Sequence, residues 1–163
     1  VGESGRLDGL RAEATRLAAV AGRAGLRGQG LVVELRDAAG AEGENAQDEQ
    51  VQDVDLQLVV NTLWSAGAEA IAINGERLVS TTAIRSAGSA ILVNFRVLTS
   101  PYRVVALGDA GALERRFGAS EIATRFKRWA EIYGLGMTIK RERKLSVPAY
   151  AGAVRSRYAV PAS

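Results

Sequence analysis

The sequence predicts an α+β fold: a two-layer sandwich of the β-α-β-β-α-β, ferredoxin-like plait type with an inserted hairpin, preceded by an amphipathic or coiled-coil helix. Three observations lead there. Strand-like and helix-like apolar periodicities alternate along the chain in the order strand, helix, strands, helix, strand. The two helical regions each carry one apolar face, which asks for a sheet to cover. Short turn signals, Asn74-Gly75 and "SAGS" (86–89), link neighbouring strands closely enough to make them antiparallel.

Near the start, Leu7, Leu10, Ala14, Leu17, Ala21 and Ala24 recur at alternating three- and four-residue steps, the seam of a coiled coil. Residues 1–28 are therefore read as the end of a coiled-coil stalk, or as a helix packed on its own domain. Under three heptads, with Gly9 and Gly22 inside, the segment is marginal alone. The domain proper is placed at residues 29–150. "GLVVELRDA" (30–38) is a short β-branched strand, and residues 39–50 lack periodicity and read as a mobile loop. Asp53 or Asp55 is expected to cap a helix with Leu56, Val59, Val60, Leu63 and Trp64 on one face, stopped by Gly67.

Residues 70–74 alternate as a strand ending in the Asn74-Gly75 turn. "RLVSTTAIR" (77–85) is expected to continue as strand, "SAGS" to reverse it, and "AILVNFRVL" (90–98) to run on with a bend at Asn94. After Pro101, residues 102–108 form a further strand and Asp109 caps a helix that breaks near Gly118. Ser120 caps its second half, which carries Ile122, Phe126, Trp129, Ala130 and Tyr133 on one face and ends at Gly134. The last strand, from residue 136 towards 150, becomes highly charged, as suits an exposed sheet edge. Residues 151–163 read as a loosely held tail.

Composition narrows the chemistry. The 163 residues are 47% hydrophobic, enough for one folded core. Cys and His are both absent, which removes thiol nucleophiles, Cys/His zinc sites and Ser-His-Asp relays. No run is long and apolar enough to span a bilayer, and Val1 in place of Met suggests that any leader or anchor lies upstream. Net charge is +3, unevenly spread: Asp37, Glu42, Glu44, Asp48, Glu49, Asp53 and Asp55 crowd one stretch without a basic neighbour.

Candidate sites are few. The candidate ligand-binding residues are Asn74, Arg77, Thr81, Thr82, Arg85 and Asn94: with Ser80, the arginines and threonines combine guanidinium and hydroxyl donors that suit an anion, against the plainer view that turn chemistry accounts for the asparagines and that threonines and arginines simply populate a strand. No GxxxxGK[ST] or GxGxxG pattern supports a nucleotide phosphate site. The acidic stretch lacks the spacing of a calcium loop and reads as a solvated linker. "KRERK" (140–144) lacks the aromatic pattern of RNA-binding sheets, so nucleic acid is not expected. No catalytic residue, metal or cofactor is assigned.

The run "LVVNTLWSAGAEAIAINGERLVSTTAIRSAGSAILVN", followed by "SPYRVVALGD" and "YGLGMTIKRERKLSVPAY", resembles the YlxW-like bacterial family of unknown function, domain of unknown function 881, over roughly residues 30–150. The resemblance implies an upstream membrane-spanning helix and a coiled-coil segment, hence a domain on the extracytoplasmic side of the plasma membrane with a part in cell-envelope or cell-division assemblies. It implies no reaction. One departure is Phe95, where the resemblance leads us to expect glycine after Asn94; an exposed Phe95 would be a partner contact. The expected function is thus a membrane-tethered interaction or scaffold module with protein partners and self-association through the N-terminal helix. The alternative is a small-ligand or anion-binding domain at Arg77–Arg85.

Overall fold

Alternating side chains along residues 26–36 build an interior strand of the main sheet. The computed structural model describes residues 2–41, 46–152, 158 and 162. Its elements are α1 (Gly2–Val20), β1 (Leu26–Arg36), a 3-10 turn (Ala46–Glu49), α2 (Asp53–Ser65), β2 (Ala70–Ile73), β3 (Glu76–Arg77), β4 (Ile84–Ala87), β5 (Ala90–Val93), β6 (Arg96–Leu98), β7 (Tyr102–Leu107), α3 (Ala110–Gly118), α4 (Glu121–Tyr133) and β8 (Gly136–Val147). One sheet has the order β3-β2-β7-β1-β8 and a second the order β4-β5-β6. All neighbours are antiparallel, with Val33 opposite both Val104 and Ile139.

The two-residue period of β1 explains where the cores lie. Leu31, Val33 and Leu35 face a cluster with Ile71, Ile73 and Val104, closed by Leu56, Val59 and Leu63 of α2, Leu113 and Phe117 of α3, and Phe126 of α4. Each such side chain, fully buried, stabilises by roughly 1.5–3 kcal/mol. Val32 points the other way, into a smaller cluster with Ala70, Ala72, Val105, Leu107, Leu145 and Val147. Ile91, Val93 and Leu98 pack the second sheet onto the main core.

The α+β class and antiparallel pairing match the expectation. The simple two-layer sandwich with one inserted hairpin does not: residues 84–98 form a three-stranded sheet of their own. Two local causes explain the difference. The stretch 77–85, expected as one strand, leaves the main sheet after Arg77, because Thr82 N–H donates to Val79 O and Val79 N–H donates to Thr82 Oγ1. Asn94 and Phe95 then both take positive φ, 51° and 63°, so the expected bend is a complete two-residue reversal that pairs Val93 with Arg96.

Other boundaries moved for similar reasons. Gly22, at φ 75°, ends α1, so Ala21 and Ala24 of the predicted seam lie beyond the helix. β1 begins at Leu26, earlier than the predicted residue 30, and continues through a register shift between Gly28 and Gly30. The N-cap of α2 is Gln52, and Asp55 reaches back to accept from its N–H at 2.8 Å. Asp53 instead accepts from Ser86 N–H at 3.0 Å, tying α2 to β4. The expected mobile loop contains the 3-10 turn; Ala38 N–H donates to Glu49 O, and Val51 N–H to Asp37 Oδ1. Residues 42–45 of that loop, and most of the tail 151–163, lie outside the described residues. Asp109, Ser120 and Gly134 cap α3 and α4 as predicted, and β8 is an edge strand.

Candidate functional site

The residues singled out in the sequence separate into three groups. Asn74 and Gly75 form the β2–β3 turn, at φ 46° and 81°. The Asn74 side chain also accepts from Arg103 N–H at 2.7 Å and donates to Pro101 O, which locks the turn to the start of β7. Its role is architectural.

Arg77, Thr82 and Asn94 come together, but not as free donors. Thr82 Oγ1 donates to Asn94 Oδ1 at 2.9 Å, and Asn94 Nδ2 donates to Arg77 O at 2.9 Å. The Arg77 guanidinium, 3% exposed, points elsewhere: it donates to Ala19 O at the end of α1, to Ala24 O before β1, and to Pro148 O after β8, all within 3.1 Å. Among the described residues no carboxylate pairs with it and its Nε has no partner. Burial holds its pKa below the ordinary arginine value. This side chain staples the α1 exit, the β1 entry and the β8 exit together. The adjacent Tyr150 N–H donates to Gly22 O at 2.7 Å, reinforcing the same corner.

Thr81 and Arg85 are exposed, Arg85 on β4. The anion-site set is therefore dispersed over a staple, a turn network and a solvated strand.

Between α2 and the segment 78–84, irregular up to the start of β4, lies a groove of about 430 Å³. Its lining includes the buried Val60 and Leu78, the exposed Trp64, and Thr82, which is held by its hydrogen bond to Asn94. Gln57 Nε2 closes one end by donating to Ile84 O at 2.8 Å. Trp64 was expected on the apolar face of α2; it is 39% exposed, at the edge of that face. In the sequence the groove was signalled by Trp64, at the C-terminal end of the helical seam next to polar Asn61 and Ser65, and by the hydroxyls of Ser80 and Thr82 on the other segment.

Two further groups have perturbed titration. Burial raises the Asp55 carboxyl, opposed by the Gln52 N–H and by the charge of Arg125. Burial, with Asp37 nearby, pushes the Tyr102 phenol up to about 12. The basic zone on β8 is partly paired: Arg141 meets Glu114 at 3.1 Å and Lys140 lies 3.8 Å from Glu142. Arg125 sits over the Trp129 ring, 5.7 Å from its centroid. Among the described residues no group of three or more acidic side chains is arranged to hold a metal, and no helix is long and apolar enough to cross a membrane.

α1 stands out differently. None of its residues is buried, and Leu7, Leu10 and Leu17 are 52%, 66% and 56% exposed.

Comparison with known proteins gives a consistent picture. The model of a family described as bacterial protein of unknown function (DUF881) matches residues 13–160. UPF0749 proteins from two strains of Mycobacterium tuberculosis are 36% identical over 143 residues, 83% of this chain and 47% of each relative. The UPF0749 protein YlxW of Bacillus subtilis is 37% identical over 93 residues, 56% of this chain and 40% of that protein. This chain thus spans about half the length of the Mycobacterium relatives. A crystal structure of an uncharacterized conserved protein from Mycobacterium tuberculosis superposes with a TM-score of 0.72 at 24% identity, covering 92% of this chain and 99% of that one. At that identity the likeness concerns the fold alone.

Proposed function

The chain belongs to the DUF881 family of bacterial proteins of unknown function, and from that premise we propose that it is an interaction module carried on a self-associating helical stalk. The observation that carries the reading is the exposed leucine seam of α1. A helix of 19 residues with no intramolecular cover is marginal in water, and Leu7, Leu10, Ala14 and Leu17 occupy alternating three- and four-residue positions that a second copy can bury. Stapling by Arg77 fixes the base of that helix to the domain, so association of stalks would orient the domains they carry.

The finer reading adds an upstream membrane-spanning segment, a domain held on the extracytoplasmic side of the plasma membrane, and a role among envelope or division assemblies. Its support is the resemblance and the stalk. We also read the five-stranded sheet as a β-α-β-β-α-β plait, supported by the order β2-β7-β1-β8 with α2 between β1 and β2 and α3–α4 between β7 and β8. The anion-binding alternative has less behind it, because the Arg77 guanidinium is turned into the fold.

Sedimentation equilibrium tests the stalk. The chain should associate with rising concentration, and deletion of residues 2–20, or Leu10→Glu with Leu17→Glu, should return it to a monomer with an unchanged domain fold. A chain that stays monomeric across the accessible concentration range, or that associates equally without α1, overturns the proposal.

A further inference from the structure

We propose that the groove between α2 and residues 78–84 is a binding site for a neutral, hydroxyl-rich ligand of the saccharide class. The first argument is charge. In a chain of which 24% of residues are charged, none of the groove-lining residues is ionisable. Grooves of similar size on β1 and β8 are lined by Arg27, Arg141, Arg143 and Lys144, so neutrality distinguishes this one. Its volume, about 430 Å³, falls within the roughly 300–1,000 Å³ common for small-molecule sites.

The second argument is the pairing of surfaces. Trp64 presents a half-exposed indole at the rim, a flat electron-rich face suited to the C–H face of a sugar ring. The same groove is lined by Asn61, one helical turn before Trp64 on α2, and by Ser80 on the other segment, both exposed; a side-chain amide and a hydroxyl supply donors and acceptors together, as ring hydroxyls require. An anion would find no cation here, and an apolar ligand would leave these polar groups without partners.

The third argument is rigidity. Residues 78–83 of the wall have no regular secondary structure, yet the wall is braced by Val79 N–H to Thr82 Oγ1, Thr82 Oγ1 to Asn94 Oδ1, and Gln57 Nε2 to Ile84 O at the start of β4, each 2.8–2.9 Å. A groove held this way is preorganised, and little ordering opposes ligand entry. The inference is independent of stalk association and survives its failure.

The test is a titration of the full isotope-labelled chain with maltose, cellobiose and N,N′-diacetylchitobiose, followed by amide and indole N–H shifts. At least one sugar should give saturable shifts confined to residues 57–64 and 78–84, including the Trp64 indole. Trp64→Ala should weaken binding about ten-fold or more, Ser80→Ala should weaken it several-fold, and Arg85→Ala should leave it unchanged. Because Trp64 and Ser80 are exposed, both variants should keep the parent spectrum elsewhere. No saturable shift with any of the three sugars, shifts insensitive to both groove variants, or stronger saturation of the groove by inorganic phosphate or an apolar peptide would each overturn the proposal.

Discussion

Replacing Phe95 by glycine should make the protein more stable, although it deletes the largest side chain on the second sheet's tip. Phe95 is 93% exposed and sits at φ 63°, in a two-residue turn whose other member, Asn94, has φ 51°. A non-glycine residue in the left-handed region costs roughly 1–2 kcal/mol, because its Cβ crowds the following carbonyl oxygen. Glycine removes that penalty but gives the unfolded chain more freedom, a loss of roughly 0.4–1 kcal/mol. With so little of the ring in contact, burial barely enters the sum. The net expectation is a gain of about 0.5–1 kcal/mol, or roughly 1–4 °C in Tm for a chain of this length. Asn74-Gly75 is the internal reference, since the same turn there already holds glycine at φ 81°. Urea unfolding followed by circular dichroism, at matched concentration, should show a higher midpoint with an unchanged slope. Gly75→Ala should move the midpoint down by a comparable amount. A lower midpoint for Phe95→Gly would refute the reasoning, showing that the ring makes a stabilising contact or that the turn is not strained.

Arg77→Lys should destabilise by about 2–4 kcal/mol despite conserving charge, because an ammonium group cannot fork to Ala19 O, Ala24 O and Pro148 O together; urea unfolding and faster amide exchange at Tyr150 would register it. Alkaline pH should also weaken the fold through Tyr102. Its folded-state pKa of about 12 lies above the unfolded value near 10, so the stabilisation from the neutral phenol is complete below about pH 10 and disappears as pH rises towards 12. The loss amounts to about 3 kcal/mol, and Tyr102→Phe should lose correspondingly less over that interval in parallel unfolding titrations.

Local signals in the sequence located most elements, and tertiary ones located the rest. Asp109, Ser120 and Gly134 act within a few residues of themselves, so the ends of α3 and α4 were readable from the chain. The departure of residues 78–83 from the main sheet was not, because threonine and valine favour strands and the decisive bonds run between Val79, Thr82 and the distant Asn94. Arg77 illustrates the same limit at the candidate site. A strand arginine ordinarily faces water, and only the folded chain brings three carbonyls from positions 19, 24 and 148 to its guanidinium. The hydroxyls at Ser80 and Thr82 were noticed as possible ligand contacts, but their partnership with α2 was not legible, because the two walls of the groove are some twenty residues apart and the α2 wall has no motif.

That carbonyl cluster has a mechanical meaning. Leu26 pairs with Val147 and Gly22 O meets Tyr150 N–H, so the segment before β1 and the segment after β8 lie side by side. Tension drawing the two flanking segments apart would load the β1–β8 ladder from that end and open it like a zipper, one rung after another, with Arg77 as the clasp that must yield first. Tension applied to both segments in the same direction would leave the rungs unloaded.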